Sequence, residues 1–416
     1  MAAALEVGLI DVAVNLESSY QYMTAIAPQN AEIPAGFLPA REAAARLGVR
    51  LASLYAYVSR GAVRVVAHPS DPRARLYAAT DIDALIARKA RGRRPALAAA
   101  TALDWGLPVL STAISRIADG RLFYRDLDAI DFSQRATLED VARLLWQRAD
   151  DPFARAPHLR TAQPASLPGS PPQRAIASLA AMLPRDARRE PGVAQAVAIV
   201  REVVATVTET HAGGGPIHEQ LATAWHRRDA ADIVRRALVL VADHELNAST
   251  FAARVAASTG ASLTAAVIAA LAAFTGPRHG GATQASVAFL KGAIRREPDA
   301  DHVVRRRPAE ALPTAGFGHP LYPDGDPRAR ALFVACPPEA KLRAILGAAE
   351  RRAGLFPNLD MALASAQLTC RLPEYAAFSI FMVARTVGWL AHALEQQAGG
   401  KLIRPRATYL SGMPAD

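Results

Sequence analysis

The sequence predicts a mainly α chain of two or three domains, and three observations carry that expectation. At 416 residues the chain is too long for one ordinary hydrophobic core. From Gln173 to Leu246 the apolar residues recur at helical period. Beyond that, apolar helical segments alternate with short loops, with no sustained strand alternation. Alanine is abundant while aromatic residues make up only 6%, which suits helices with closely packed backbones.

Residues 1–33 show no clear period and read as a leader. This stretch has no basic flank and carries Glu6 and Asp11 within its apolar part, so it does not resemble a signal peptide. Residues 34–95 read as a small separate module. A helix over Arg41–Leu47 is broken by Gly48, and a second runs over Leu51–Ser59. A strand at Val63–Ala67 and another at Arg75–Tyr77 form a wing, and a helix over Asp81–Arg88 closes the unit. The module resembles the winged helix-turn-helix domain of MerR-type regulators. That resemblance implies DNA as a partner, with Arg50, Ser53, Tyr55 and Tyr57 on or near the recognition helix. Charge agrees: of the net +10, most lies here, where twelve basic residues face four acidic ones.

After a linker at Arg91–Pro95, a third region spans residues 100–416. A short strand-like stretch leads to Ser111–Ile117 and on to Leu122–Arg125, and Thr137 with Asp140 announces a capped helix. Six prolines within residues 151–172 predict a surface loop. The Gly213–Gly215 cluster has no lysine and no preceding strand, so it is a poor phosphate cradle. The uncharged run from Val255 to Phe274 is interrupted by serine, threonine and glycine. It is expected to be a buried central helix rather than a membrane span. Cys336 and Cys370 lack metal-type spacing and form no disulfide framework, which fits a cytoplasmic location.

Polar groups then interrupt the apolar pattern at four places: Asp243–Thr250, the loop around His279, Gly316–Tyr322 with Asp326–Arg328, and Phe356–Asp360. Pro277 stops a helix, and Gly280 and Gly281 after His279 are expected to let backbone approach a ligand. Arg385 lies within a strongly apolar stretch, where a cation is costly unless paired. Arg404 follows near the C-terminus, and arginine forks suit carboxylates. The separations of His244, His279 and His319 do not match a zinc centre, and no metal is expected.

The stretches DHELNASTFAARVAASTGA, GPRHGGAT, GFGHPLYPDGDPRA, FPNLD, FMVARTVGWLAHALEQ and KLIRPRATY, in that order, resemble the citrate synthase family. STAISRIADGRLFYRD with TLEDVARLLW is similar to its N-terminal portion. The resemblance implies an all-helical fold of a large and a small domain, the small one covering about residues 276–377. It implies condensation of acetyl-CoA with oxaloacetate and water to give citrate and CoA, with acetyl-CoA as substrate and no cofactor. By the same resemblance Asp360 is the base, His279 stabilises the enol, and His319 polarises the ketone. His244, Arg328, Arg385 and Arg404 bind oxaloacetate, the last across a homodimer. Arg295, Arg296 and Arg305–Arg307 are candidates to meet CoA phosphates. Thr283 stands where the family frequently has asparagine, Asp126 where it has glycine, and Pro320 and Pro323 where basic residues are common. Two other readings fit the sequence. One is a 2-methylcitrate synthase using propionyl-CoA. The other is a DNA-binding regulator whose synthase-like region senses oxaloacetate, citrate or an acyl-CoA.

Overall fold

The computed structural model describes residues 33–34, 36–59, 61–71, 73–93, 110–154, 167–186, 192–210, 214–296 and 316–406. The expected leader, the end of the linker, much of the proline-rich loop and Arg305–Arg307 lie outside them. The chain divides into two compact units, Met1–Leu107 and Pro108–Asp416.

In the first unit, β1 (Phe37–Pro39) leads into α1 (Ala40–Leu47) and α2 (Leu51–Ser59). β2 (Val65–Ala67), β3 (Arg75–Ala78) and α3 (Ala79–Arg93) follow. α1 stops at Gly48, whose φ of 64° lets its N–H turn back onto the Ala44 and Ala45 carbonyls. The three strands pair antiparallel with β3 in the centre. Strand β1 was not expected from the sequence, and Val63 is a core residue ahead of β2 rather than its first member. Ala43, Leu47, Leu54, Tyr77 and Ile82 pack as the core. Asp81 receives the Arg64 guanidinium and backbone N–H, which hold its carboxyl down at about 2. Arg46 pairs with Asp83 through two bonds of 2.9 and 2.8 Å.

The second unit opens with an antiparallel sheet of β4 (Ser115–Ala118), β5 (Arg121–Tyr124) and β6 (Leu127–Asp128). Helices follow: α4 (Ala129–Ser133), α5 (Leu138–Leu145), α6 (Pro171–Asp186), α7 (Val193–Thr208), α8 (Ile217–Ala224) and α9 (Ala231–Val241). Then come α10 (Ala248–Ser258), α11 (Leu263–Phe274), α12 (Gly281–Arg296), α13 (Pro327–Ala335), α14 (Ala340–Ala353), α15 (Leu359–Thr369) and α16 (Ala376–Gly399). Thr137 caps α5 through a full capping box with Asp140.

α16 is the axis of this unit. It packs against α5, α7, α9, α10 and α11, and Trp389 and Arg385 are among its sealed side chains. It is long and apolar enough to cross a membrane, but 94% of that stretch is buried within the protein. The run Val255–Phe274, expected to be one central helix, is two. Gly260 at φ 82° ends α10, and the Ser262 side chain caps α11 by accepting from Ala265 N–H. The two thiols meet: Cys336 at the end of α13 and Cys370 at the end of α15 are free, with their sulfurs 3.5 Å apart.

Candidate active site

The site is assembled from chain turns around the middle of α16, where Phe381, Arg385, Trp389 and His392 lie. The first is the turn after α9. Asn247 caps α10 by accepting from Thr250 N–H at 3.1 Å, and this fixes the turn that carries Asp243 and His244. Asp243 is sealed, accepting from the Ser115 hydroxyl and lying 3.2 Å from His392 Nε2. His244 is buried, with Nε2 2.9 Å from the Tyr322 hydroxyl. Its ring meets that of His319 edge-on at 5.2 Å.

The second is the loop between α11 and α12, which holds His279 against the rings of Phe274 and Phe381. Its glycines meet a demand of the loop itself. A Cβ at Gly280 would come within 2.5 Å of the Phe274 ring, and one at Gly281 within 2.8 Å of the Gly276 carbonyl oxygen. They let the loop close on its own helix. His279 Nε2 lies 2.7 Å from Ser249 Oγ. Ser249 also accepts from Trp389 Nε1–H at 3.0 Å and sits 2.8 Å from Asn247 Oδ1. Its single proton therefore goes either to Asn247 or to His279. When it goes to His279, the ring's own proton is on Nδ1.

The third is built by two segments clasped together. Gly318 N–H donates to the Phe356 carbonyl and Asn358 N–H to the Gly316 carbonyl, with Phe317 bridged to Pro357. Asn358 also caps α15 by accepting from Asp360 N–H at 3.0 Å, so the His319 loop and the Asp360 helix start are one rigid piece. Leu321 N–H donates to His319 Nδ1 at 3.2 Å, which leaves the ring proton of a neutral imidazole on Nε2. Thr283, one turn beyond His279, donates its hydroxyl to Asp360 Oδ1.

Burial sets the charges. His279 is pushed down to about 3 and His319 to about 4, chiefly by desolvation and then by Arg385 and Arg328 respectively. His244 is held well below its usual range by the same cause. All three are neutral hydrogen-bonding groups at pH 7. Asp360 goes the other way, raised by desolvation to about 6 against the pull of Thr283 and Arg328.

The arginines differ from one another. Arg328 is locked by two bonds to Asp326, of 3.0 and 2.8 Å, through Nε and one Nη. Arg385 spends Nε–H on the Val241 carbonyl at 2.9 Å and stacks on Phe381. No carboxylate of the described residues pairs with it, and burial lowers it to about 10. A guanidinium sealed without an anion calls for an anionic ligand. Arg404 is exposed, and among the described residues no hydrogen bond or ion pair joins it to this group.

Six of the seven residues singled out from the sequence thus converge: His244, His279, His319, Arg328, Asp360 and Arg385. Nothing in the sequence pairs the supporting groups Ser249, Tyr322, Asp326, Thr283 and Trp389 with them. Among the described residues no three His, Cys, Asp or Glu side chains cluster as a metal-binding group.

A helical frame enclosing a buried carboxylate with raised proton affinity, neutral imidazole donors and an unpaired cation defines a site for acid–base chemistry on an anionic substrate. Comparison with known proteins agrees. Residues 102–406 match the family model "Citrate synthase, C-terminal domain". The chain is 30% identical to a citrate synthase of Mycolicibacterium smegmatis over 360 residues, 74% of this chain and 94% of the relative. It is 28% identical to "Citrate synthase 2" of Bacillus subtilis over 354 residues, 73% of this chain and 94% of that one. A 208-residue match at 33% identity to a 2-methylcitrate synthase of Shewanella oneidensis covers 48% of this chain and 54% of the relative. In fold, it is similar to the citrate synthase of Thermotoga maritima, with a TM-score of 0.62 at 23% identity, covering 75% of this chain and 96% of that one. The chain belongs to the citrate synthase family.

Proposed function

We propose that this chain, an acyltransferase of the citrate synthase type, condenses acetyl-CoA with oxaloacetate and water to give citrate and CoA. Asp360 serves as base, with His279 and His319 as donors. The observation that carries the reading is the convergence of the Asp360 carboxylate, held by Thr283, with His279 on Ser249, His319 fixed by the Leu321 N–H, and the buried Arg385. A thioester methyl is a very weak acid, so its base must act where water is scarce and the developing oxyanion meets a donor. Asp360 takes the methyl proton while His279 Nδ1–H, with Ser249 donating to Nε2, bonds the thioester oxygen. The enol carbon attacks the ketone carbon of oxaloacetate, whose oxygen is polarised by His319 Nε2–H. Water then hydrolyses the citryl thioester and CoA leaves as the thiol. Arg385, Arg328 and His244 hold the dianion. In this scheme no cofactor takes part. Residues 276–377 act as a small domain closing over the substrates. Oxaloacetate-dependent thiol release from acetyl-CoA tests the reading. Faster release from propionyl-CoA would make 2-methylcitrate the product, and none from either would overturn the assignment.

Two features extend this proposal. Arg404 is exposed, and we assign it to the substrate site of a second copy in a homodimer. Residues 34–95 are read as a MerR-like winged helix-turn-helix. Arg50 just before its second helix and Ser53 and Tyr55 on it are exposed, suited to DNA, whereas Tyr57 packs against its core. Binding to duplex DNA that weakens steeply with salt would support that role, and salt-independent or absent binding would remove it.

A further inference from the structure

We propose that Thr283 is a positioning residue for the base: its hydroxyl holds Asp360 Oδ1, leaving Oδ2 as the oxygen that takes the methyl proton. The inference rests on the reading of Asp360 as the base. Thr283 is completely sealed on the first turn of α12, four residues past His279, and its Oγ1 donates to Asp360. α12 packs along α15, which carries Asp360. The backbone of Asp360 is anchored separately, its N–H held by Asn358 Oδ1. Oδ2 has no hydrogen-bond partner among the described residues, and the carboxylate is mostly buried without being sealed. One oxygen is tethered and the other faces the site.

β-branching matters here. A threonine on a helix has few side-chain rotamers, so its hydroxyl is delivered at a fixed place. The helix that starts beside the enol-stabilising histidine thereby also sets the carboxylate, linking donor and base through one turn of backbone. The charged groups acting on Asp360 are Arg328 and Asp326 at the start of α13 and Arg385 on α16. The Thr283 hydroxyl stabilises the carboxylate form, against the burial that raises it. Removing the hydroxyl leaves burial less opposed, so the base requires a higher pH to be ionised.

The test is the pH profile of oxaloacetate-dependent thiol release by wild type, Thr283→Val, Thr283→Ala, Thr283→Ser and Asp360→Asn. Thr283→Val keeps the volume and should move the acid limb of kcat/KM upward by about one pH unit. Above that limb its kcat should fall about tenfold with KM for oxaloacetate unchanged. Thr283→Ser should restore the limb. If Thr283→Val does not fold, Thr283→Ala reads the same two quantities. A wild-type limb and kcat in the variant lacking the hydroxyl, or a loss in Thr283→Ser equal to that in Thr283→Val, overturns the proposal. Full activity in Asp360→Asn would instead remove the base assignment itself, and the inference with it.

Discussion

Arg385 is buried at 2% exposure with a carbonyl and a ring as its partners, a poor arrangement for stability and a good one for binding an anion. Arg385→Met should raise KM for oxaloacetate about a hundredfold. Unliganded stability should stay within about 1 kcal/mol of wild type, because the cation gains little until the anion arrives. Titration with oxaloacetate and urea unfolding separate the two. A large loss of stability with KM intact would make Arg385 a structural cation. At this scale the candidate site residues are legible because each lies in a short stretch whose neighbours are distinctive, as in Gly318-His319-Pro320 or Asn358-Leu359-Asp360. Their partners are not. That Ser249 meets His279, or Thr283 meets Asp360, depends on how α10, α12 and α15 pack, and a hydroxyl on a helix looks the same in sequence whether or not it has such a partner.

The elements succeed or fail on local backbone demands. The Gly316–Gly318 segment clasps Phe356–Asn358, and Gly316 itself has a φ of 95°. A Cβ there would strike the Ser286 hydroxyl and come within 3.1 Å of Met361. Gly316→Ala should therefore destabilise by about 2 kcal/mol and lower kcat, since the His319 loop must shift. Gly354 offers the comparison: its φ is 61°, but nothing lies within 4 Å of a Cβ. Gly354→Ala should cost about 1 kcal/mol and leave kcat unchanged. Equal unfolding midpoints and equal rates for the two would contradict the clasp. The same local rules explain what sequence reasoning placed well and what it missed. The capping box at Thr137 and Asp140 is a local code and was readable. The break at Gly260 carries local signals, a glycine followed by the capping Ser262, but the uncharged, alanine-rich composition of the run outweighs them and suggests one helix. β1 was missed because three residues show no alternation and acquire strand geometry only by pairing with β3.

For the whole molecule, the mainly helical build was plain from period and composition, and the family from the order of its motifs. Which face of each helix meets another was not, because alanine-rich helices offer little contrast between faces. The proposed dimer makes a prediction at this scale. If Arg404 completes the site of its partner, inactive Arg404→Ala and Asp360→Asn chains should complement each other when mixed. A hybrid dimer would then contain one intact site. An equal mixture should recover about a quarter of wild-type activity, and no recovery after subunit exchange would place Arg404 outside the site.

Whether a buried carboxylate at Asp360 starts the condensation is decided by comparing wild type with Asp360→Asn. The measurement is thiol release from acetyl-CoA in the presence of saturating oxaloacetate. If Asp360 is the base, kcat should fall at least about a thousandfold with oxaloacetate affinity retained. Release within a few-fold of wild type would contradict it.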